Sequence, residues 1–259
     1  MKILRGFINI PTGQIHYRQC GVGKPILLLH MTPGSSLIYE QCLHLLAEAG
    51  YKAIAMDTPG YGDSDSIGEN QTIQDYSQAV SLLIEQLELQ TVDLVGLSTG
   101  SVIAANTAIT FEQMVNKLVL IEPGIFNTPD RQKSGYHGVK IELDQDGEYF
   151  LKRWKQISNG FGGNLNDEQA FVLFLDALRS HQHQHEAYQA LIYYDLMNDL
   201  PKINQSTLLI TGSLSTRKEP MSTFYKKLQD ASICELSDVA NAAPLENPKK
   251  FVEALLNWL

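Results

Sequence analysis

A serine between two glycines is the residue of this sequence with the clearest chemical potential. Gly96-Leu97-Ser98-Thr99-Gly100 follows an apolar run, VDLV, and opens a helical pattern. On so tight a strand-to-helix turn the serine oxygen projects above the sheet, at a helix N-terminus whose N–H groups favour developing negative charge. The glycines let the strand and helix backbones approach each other. The pattern predicts Ser98 as a nucleophile in preference to a simple helix cap.

A carboxylate stands at the end of the following strand. Glu122 closes the run KLVLIE. The carboxyl ends of parallel strands meet at one edge of a sheet, so we expect Glu122 to face the same crevice as Ser98. Glu122 could then be an acid, or a base acting on Ser98 or on a water. A capping or ion-pairing role is the equally weighted alternative.

Alternating strand and helix patterns must position these two residues. Continuous apolar runs such as PILLLH at 25–30 are typical of strands buried on both faces, and helical spacing follows most of them. Between 125 and 200 only helical patterns occur, near 145–157, 166–180 and 185–198. The sequence therefore predicts an α/β fold with a mostly parallel sheet of about eight strands and helices on both faces. Its core comprises 1–124 and 201–259, with a helical insertion at 125–200.

Charge and cysteine content limit the partners and the compartment. The formal net charge of −9 argues against nucleic acid and against an anionic membrane surface. Cys20, Cys42 and Cys234 are scattered without metal-ligand spacing, which indicates thiols in a reducing compartment. The chain begins with a strand-like pattern and has no apolar run of the roughly 20 residues that a membrane span needs. We expect a cytoplasmic protein.

Three further motifs occur in the order that one superfamily uses. His30-Met31-Thr32-Pro33-Gly34 is similar to an H-G-x-P-G loop, the run DTPGYGDSD at 57–65 to a D-x-P-G-x-G-x-S-D turn, and LENP at 245–248 precedes the last helix. With the turn around Ser98, they make the chain resemble the α/β-hydrolase superfamily over nearly its whole length. The resemblance is to the cap-bearing branch of esterases, epoxide hydrolases and haloalkane dehalogenases. It implies the α/β-hydrolase fold, with 125–200 as a cap over the active site.

The same resemblance assigns roles near Ser98. It implies an oxyanion hole formed by the backbone N–H groups of Thr32 and Thr99, with His30 supporting that loop. Met31 stands where the family usually has glycine and could narrow the loop. The sequence contains no Gly-rich phosphate loop and no metal-ligand cluster, so we expect neither a cofactor nor a metal.

Two positions of the expected catalytic triad carry other residues. The family acid follows the strand after the cap, and that position is Ser215, or Thr216 if one residue is inserted. The family histidine precedes the last helix, and that position is Asn241. An amide cannot accept a proton near neutral pH, so Asn241 cannot act as a general base. The sequence predicts an incomplete triad.

Histidines of the cap are conceivable substitutes. His181 and His185 share a helix face, so a metal pair or a base from the cap is possible; His183 lies between them and His137 precedes them in the chain. We favour solvated residues at a helix junction, since no third metal ligand is evident.

Three functions follow from these residues. The resemblance implies a serine hydrolase for a carboxylic ester or similar acyl substrate. The alternatives are a weak or inactive member that binds a small apolar ligand, and a cofactor-free lyase or isomerase with Glu122 as base. A small, largely apolar substrate or ligand fits the aromatic residues of the cap, which are Phe150, Trp154, Phe161, Phe171, Phe174, Tyr193 and Tyr194. The oligomeric state cannot be read from the sequence.

Overall fold

An eight-stranded sheet forms the centre of the molecule. The computed structural model describes residues 1–129, 132, 144–160, 164–216 and 221–259. The strands are β1 Leu4–Ile10, β2 Gly13–Cys20, β3 Lys24–Leu29, β4 Tyr51–Met56, β5 Val92–Leu97, β6 Val115–Ile121, β7 Thr207–Gly212 and β8 Ala231–Leu236. Their order across the sheet is β1-β2-β4-β3-β5-β6-β7-β8. Only the pairings of β2 with β1 and β4 are antiparallel, so the predicted, mostly parallel sheet is confirmed.

Helices cover both faces of this sheet. Before the cap they are α1 Glu40–Glu48, α2 Ile73–Gln86 and α3 Thr99–Thr110. The described helices after β6 are Glu148–Ser158, Asp167–Arg179, Gln184–Ile192, Leu196–Asp199, Met221–Tyr225, Ala243–Glu246 and Pro248–Trp258. The apolar side chains of α2 and α3 belong to one buried cluster, and those of α1 and Pro248–Trp258 to another.

The alternation of side chains along β3 separates these two clusters. Leu27 and Leu29 point into the cluster of α2 and α3, whereas Ile26 and Leu28 point into the cluster of α1. All four side chains are fully buried. A strand covered on both faces needs apolar residues at every position, which explains the continuous run in the sequence.

The segment between β6 and β7 differs from the predicted helices in one place. The helix expected at 185–198 is Gln184–Ile192, followed by a separate short helix, Leu196–Asp199. The break has a local cause, because the Asp195 side chain accepts a hydrogen bond from the N–H of Asn198 and begins the second helix. The division of the chain into a core and a cap at 125–200 stays a prediction. We use "cap segment" for residues 125–200.

Among the described residues, every helix is too short or too polar to cross a lipid bilayer.

Candidate functional site

Ser98 lies on a strained turn between β5 and α3. Its backbone has φ 53° and ψ −107°, outside the regions that L-residues normally occupy. The Ser98 N–H donates to the Ile121 carbonyl of β6 at 2.8 Å, which fixes the turn to the neighbouring strand. A conformation of this kind costs about 1–3 kcal/mol and persists only where the surroundings enforce it.

Close backbone contacts enforce the turn. A Cβ on Gly96 would lie 2.1 Å from the Gly100 carbonyl oxygen, and a Cβ on Gly100 would lie 2.3 Å from the Leu29 carbonyl oxygen. The hydroxyl of Ser101 lies 2.7 Å from the Gly96 carbonyl and 2.8 Å from the Ile121 carbonyl, and its single proton serves both. The glycine pattern seen in the sequence is therefore a steric requirement.

Thr32 contacts Thr99, the residue that follows Ser98. Thr99 is the first residue of α3, where backbone N–H groups have no acceptor within the helix. The Thr32 N–H donates to Thr99 Oγ1 at 3.4 Å, which places it over the start of α3. From the cap segment, the Tyr188 hydroxyl donates to the Thr32 carbonyl at 3.3 Å. The two N–H groups that the resemblance assigns to an oxyanion hole thus belong to adjoining segments.

His30 holds the loop between β3 and α1 as a neutral imidazole. Its Nδ1 lies 2.9 Å from the Met31 carbonyl, which can only accept, so Nδ1 carries the proton. Its Nε2 then accepts from the Thr58 N–H at 3.0 Å. Burial lowers the pKa of His30, although the Asp57 charge and the bond to Met31 oppose the change. Both ring nitrogens are occupied, so this histidine has no lone pair to offer Ser98.

Asp57 organises the turn after β4 and is a residue whose role the sequence did not reveal. Its Oδ2 lies 2.8 Å from His16 Nδ1 and accepts from the Asp63 N–H at 2.9 Å, while its Oδ1 accepts from the Ser36 N–H at 2.6 Å. Burial alone would raise the pKa of Asp57, but these bonds and the nearby His30 lower it to about 2. His16, Asp57 and Asp63 are also the one group of three metal-ligating side chains found close together among the described residues. Their hydrogen bonds account for that proximity.

Glu122 extends its carboxylate toward the end of β7. The residue is fully buried and has a positive φ of 46°. Its Oε1 accepts from the Gly212 N–H and the Thr211 hydroxyl, each at 2.8 Å, and its Oε2 accepts from the Ser215 hydroxyl at 2.8 Å. Glu122 thus places a carboxylate beside the position where the family acid was expected.

Asn241 is bound to the same loop after β7. Its Oδ1 accepts from the Thr216 N–H at 2.9 Å and its Nδ2 donates to the Thr216 hydroxyl at 2.6 Å. Both ends of the amide are therefore occupied by one neighbour. In this geometry Asn241 ties the loop before the last helix to the loop that carries Ser215.

The strand order brings three predicted residues to one edge of the sheet. Leu97 pairs with Ile121 in the register of β5 and β6, so Ser98 and Glu122 follow directly paired residues. β7 is the next strand, and Ser215 reaches Glu122 from the loop after it. Adjacent strands lie about 4.8 Å apart, so Ser98 and Glu122 are neighbours at the level of the backbone.

Two of the predicted histidines of the cap segment are bound locally, whereas His185, on the helix Gln184–Ile192, has a buried Nδ1 without a hydrogen-bond partner among the described residues. His181 Nδ1 lies 3.0 Å from the Leu178 carbonyl, and His183 Nδ1 lies 2.8 Å from Glu186 Oε1. His137 lies outside the described residues.

The aromatic residues of the cap are distributed over different surroundings. Phe171 is 51% exposed and Tyr193 is 75% exposed, so both side chains face solvent to a large extent. Trp154 and Phe174 pack edge to face with ring centroids 5.6 Å apart. Phe161 lies outside the described residues. A cavity of about 420 Å³ between the start of α2 and the end of Gln184–Ile192 includes Tyr193 and Tyr194 but neither Ser98 nor Glu122.

Asp176 is a second buried carboxyl that the sequence analysis overlooked. It lies on the inner face of Asp167–Arg179 and accepts a hydrogen bond from the Ser35 hydroxyl at 2.8 Å. The sequence did carry a signal, because Asp176 stands between the apolar positions Leu173 and Ala177 of an amphipathic helix. A charged residue on the buried face of a helix requires a partner.

Comparisons with known proteins decide the family. A family model described as alpha/beta hydrolase fold matches residues 24–215. A 2-hydroxy-6-oxononadienedioate/2-hydroxy-6-oxononatrienedioate hydrolase of Escherichia coli is 32% identical, with 98% of this chain and 94% of the relative covered. The chain belongs to the α/β-hydrolase family. The predicted family resemblance is therefore confirmed, and membership implies a small-molecule substrate.

Other α/β hydrolases share the sequence or the fold to a lesser degree. A Pseudomonas putida hydrolase of the same name is 28% identical, covering 98% of this chain and 95% of the relative. The crystal structure of a hydrolase from Pseudomonas aeruginosa superposes with a TM-score of 0.85 at 19% identity, covering 98% of this chain and 97% of that one. A thermophilic esterase from Thermogutta terrifontis superposes with a TM-score of 0.82 at 18% identity, covering 98% and 97%. These two structures establish the common fold.

Proposed function

We propose that this α/β hydrolase cleaves an ester or related acyl bond of a small substrate, with Ser98 as nucleophile and Glu122 as the acid/base group. The observation that carries the proposal is the combination of a strained Ser98 backbone with a buried carboxylate at the next strand end. Strain of this kind is concentrated at functional sites.

The proposed reaction assigns each proton. Ser98 Oγ attacks the carbonyl carbon while Glu122, directly or through a water, takes the hydroxyl proton. The resulting oxyanion is bound by the N–H groups of Thr32 and Thr99, and His30 supports the Thr32 loop. Glu122 returns the proton to the leaving group as its bond to the acyl carbon breaks. Glu122 then takes a proton from the water that attacks the acyl-serine and gives it to Ser98 Oγ, which departs and releases the acid. No cofactor is required for these steps.

We propose that this reaction is slower than that of a hydrolase with a complete Ser-His-Asp triad. A carboxylate is a weaker base than a triad histidine, and Asn241 offers no nitrogen that can accept a proton. Serine enzymes without their triad partners keep a residual rate from oxyanion stabilisation and binding.

The names of the relatives extend the substrate class. They describe the hydrolysis of nine-carbon diacids with a 2-hydroxy and a 6-oxo group. A ketone carbonyl develops the same oxyanion as an ester when it is attacked. We propose a largely apolar acyl substrate first and include 2-hydroxy-6-oxo diacids in the substrate panel. The free Cys20, Cys42 and Cys234 support a reducing compartment, and we propose that the reaction takes place in the cytoplasm.

A fluorophosphonate probe tests the mechanism without knowledge of the substrate. Intact mass would follow labelling of the wild type, Ser98→Ala, Glu122→Gln and the surface control Ser232→Ala. The proposal requires labelling that Ser98→Ala abolishes, Glu122→Gln slows by about tenfold or more, and Ser232→Ala leaves unchanged. Wild-type labelling no faster than that of Ser98→Ala would refute it.

One observation favours a second candidate, a catalytically weak or inactive member that binds a small apolar ligand. Both ends of the Asn241 amide are used by Thr216, an arrangement suited to loop stability. For this candidate, the probe fails to label while small acyl compounds raise the melting temperature.

A further inference from the structure

Asp176 joins the cap segment to the loop that carries Thr32. Its side chain is completely buried, and so is that of Ser35, which donates to Asp176 Oδ2 at 2.8 Å. Ser35 Oγ also accepts from the Leu37 N–H at 3.2 Å and thereby begins the short helical turn after the loop. The Ser35 hydroxyl thus connects a cap helix to the backbone of residues 31–37.

A second carboxyl holds the same loop from the core side. Asp57 Oδ1 accepts from the N–H of Ser36, at 2.6 Å. Ser35 and Ser36 are adjacent, so the loop is hydrogen-bonded to two carboxyls: Asp57 after β4 and Asp176 of the cap segment. The Gly34 N–H donates to the Met31 carbonyl at 2.7 Å, which makes the intervening turn tight. A shift at Ser35 is therefore transmitted to Thr32.

Packing alone does not explain an acid at position 176. Its helix neighbours Leu173 and Ala177 are buried and apolar, and an aliphatic side chain would suit the same face. The second oxygen, Oδ1, is buried and has no hydrogen-bond partner among the residues that the structure describes. A half-satisfied buried carboxyl costs stability, which argues for a role beyond cap packing.

The charges around Asp176 agree with this picture. Burial raises the pKa of Asp176 to about 7, the Asp57 charge acts in the same direction, and Ser35 and Arg179 oppose it. Arg179 is in turn paired with Asp63 of the turn after β4. The carboxyl is held by its hydrogen bond to the loop and not by a direct ion pair.

We propose that Asp176 is a positioning residue: through Ser35 it sets the backbone that presents the Thr32 N–H to the oxyanion. The Thr32 N–H is then correctly placed only when the cap segment is packed against the loop and Asp176 binds Ser35. This inference rests on the proposed hydrolase function.

Paired variants of the two side chains test the inference. Asp176→Asn keeps an acceptor for Ser35, whereas Asp176→Leu and Ser35→Ala each remove the bond. The rate of fluorophosphonate labelling at Ser98 should fall about tenfold or more in Asp176→Leu and Ser35→Ala and stay within about threefold in Asp176→Asn. The double variant Ser35→Ala/Asp176→Leu should be no slower than either single variant, because both remove the same contact. Leu178→Ala shortens a half-buried side chain on the same helix, serves as the control and should leave the rate unchanged.

A second readout separates this inference from the proposed function. Hydrogen exchange of the backbone amides of residues 31–37 should be faster in Ser35→Ala and Asp176→Leu than in Asp176→Asn and Leu178→Ala. Multiplied rate losses in the double variant, or equal exchange in all four single variants, would overturn the positioning role. Absence of labelling in the wild type would refute the hydrolase proposal, and exchange would still decide whether Asp176 holds the loop. If Asp176→Leu does not fold, Ser35→Ala against Asp176→Asn carries the same comparison.

Discussion

The Glu122 carboxylate reaches from the end of β6 to the hydroxyl of Ser215, the residue at the expected acid position. A buried acid is thus delivered to this part of the site by a different strand from the one the family pattern predicts. Position 241, where the family pattern predicts the histidine, carries an amide that is bound to Thr216. At the scale of single residues, position 241 therefore supplies no imidazole, and the only acid/base group in the proposed mechanism is the Glu122 carboxylate.

Restoring a histidine at position 241 should therefore raise reactivity. Asn241→His places an imidazole beside the loop that carries Ser215, whose hydroxyl binds Glu122. General-base catalysis of this kind is worth about 10²–10⁴-fold, and we expect fluorophosphonate labelling to accelerate by at least about tenfold. Stopped-time intact mass measures the rate. Asn241→Gln, which keeps the amide, serves as control and should show no acceleration; equal rates for both variants would contradict the prediction.

Placing an acid at the expected position 215, without a histidine at 241, should destabilise the protein. The Ser215 hydroxyl lies 2.8 Å from Glu122 Oε2, so Ser215→Asp would bring a second carboxylate against a buried one. Two carboxylates at such a distance cannot both ionise without cost. We expect Ser215→Asp to lower the free energy of unfolding by about 1–3 kcal/mol at pH 8, and by less at pH 5, where the pair can hold a proton.

Urea unfolding at the two pH values measures this effect. The double variant Glu122→Gln/Ser215→Asp leaves one carboxylate in the pair and should recover most of the loss. A Ser215→Asp variant as stable as the wild type at pH 8 would mean that the two side chains separate.

At the scale of elements, the start of α3 packs directly on the end of β3. A Cβ on Gly100 would lie 2.3 Å from the Leu29 carbonyl oxygen, and both atoms belong to the backbone and cannot turn away. Gly100→Ala should therefore displace α3 or open the turn at Ser98. We expect a loss of about 2–4 kcal/mol in unfolding free energy, as for overpacking that the core cannot relieve.

Thermal unfolding of Gly100→Ala checks this expectation. Gly68→Ala is a suitable control, because Gly68 has a positive φ of 108° with open space around its Cβ position. It should lose only the cost of the backbone conformation, about 1–2 kcal/mol. Equal losses of unfolding free energy in the two variants would contradict the prediction, because they would mean that α3 moves away from Leu29 without the additional cost expected for overpacking.

Local patterns in the sequence account for most elements and for part of the site. The run KPILLL and the glycines around Ser98 are each explained by contacts within a few residues or with the adjacent strand. The single helix expected at 185–198 was wrong because the Asp195 cap competes with the helical pattern. The pairs Glu122–Ser215 and Ser35–Asp176 join distant parts of the chain, so no periodicity could reveal them.

At the scale of the whole molecule, the cap segment is seated on the loops that follow β3 and β4. Tyr188 binds the Thr32 carbonyl at 3.3 Å, and Asp176 binds Ser35 at 2.8 Å. Glu186 Oε2 accepts from Ser66 and Gln71, at 3.0 and 2.9 Å. Polar contacts therefore link the cap segment to the loops after β3 and β4. A change of charge at these contacts should alter the stability of the entire fold.

The carboxyl of Asp176 should make that stability fall as the pH rises. Its pKa in the folded protein is raised to about 7, against about 3.9 for an unfolded chain. The folded state therefore keeps a proton that the unfolded state releases, so the contribution is complete below about pH 4 and is lost as the pH rises through 7. At about 1.4 kcal/mol per pH unit, the upper limit of this loss is about 4 kcal/mol.

Asp176→Asn mimics the protonated acid and cannot titrate, so its stability relative to the wild type should increase from pH 4 to pH 8. Urea unfolding of both proteins across this range measures the difference, with Asp230→Asn, at an exposed position, as the control. A constant difference would mean that Asp176 is ionised in the folded protein throughout, and the bond to Ser35 would then be charge-assisted at every pH tested.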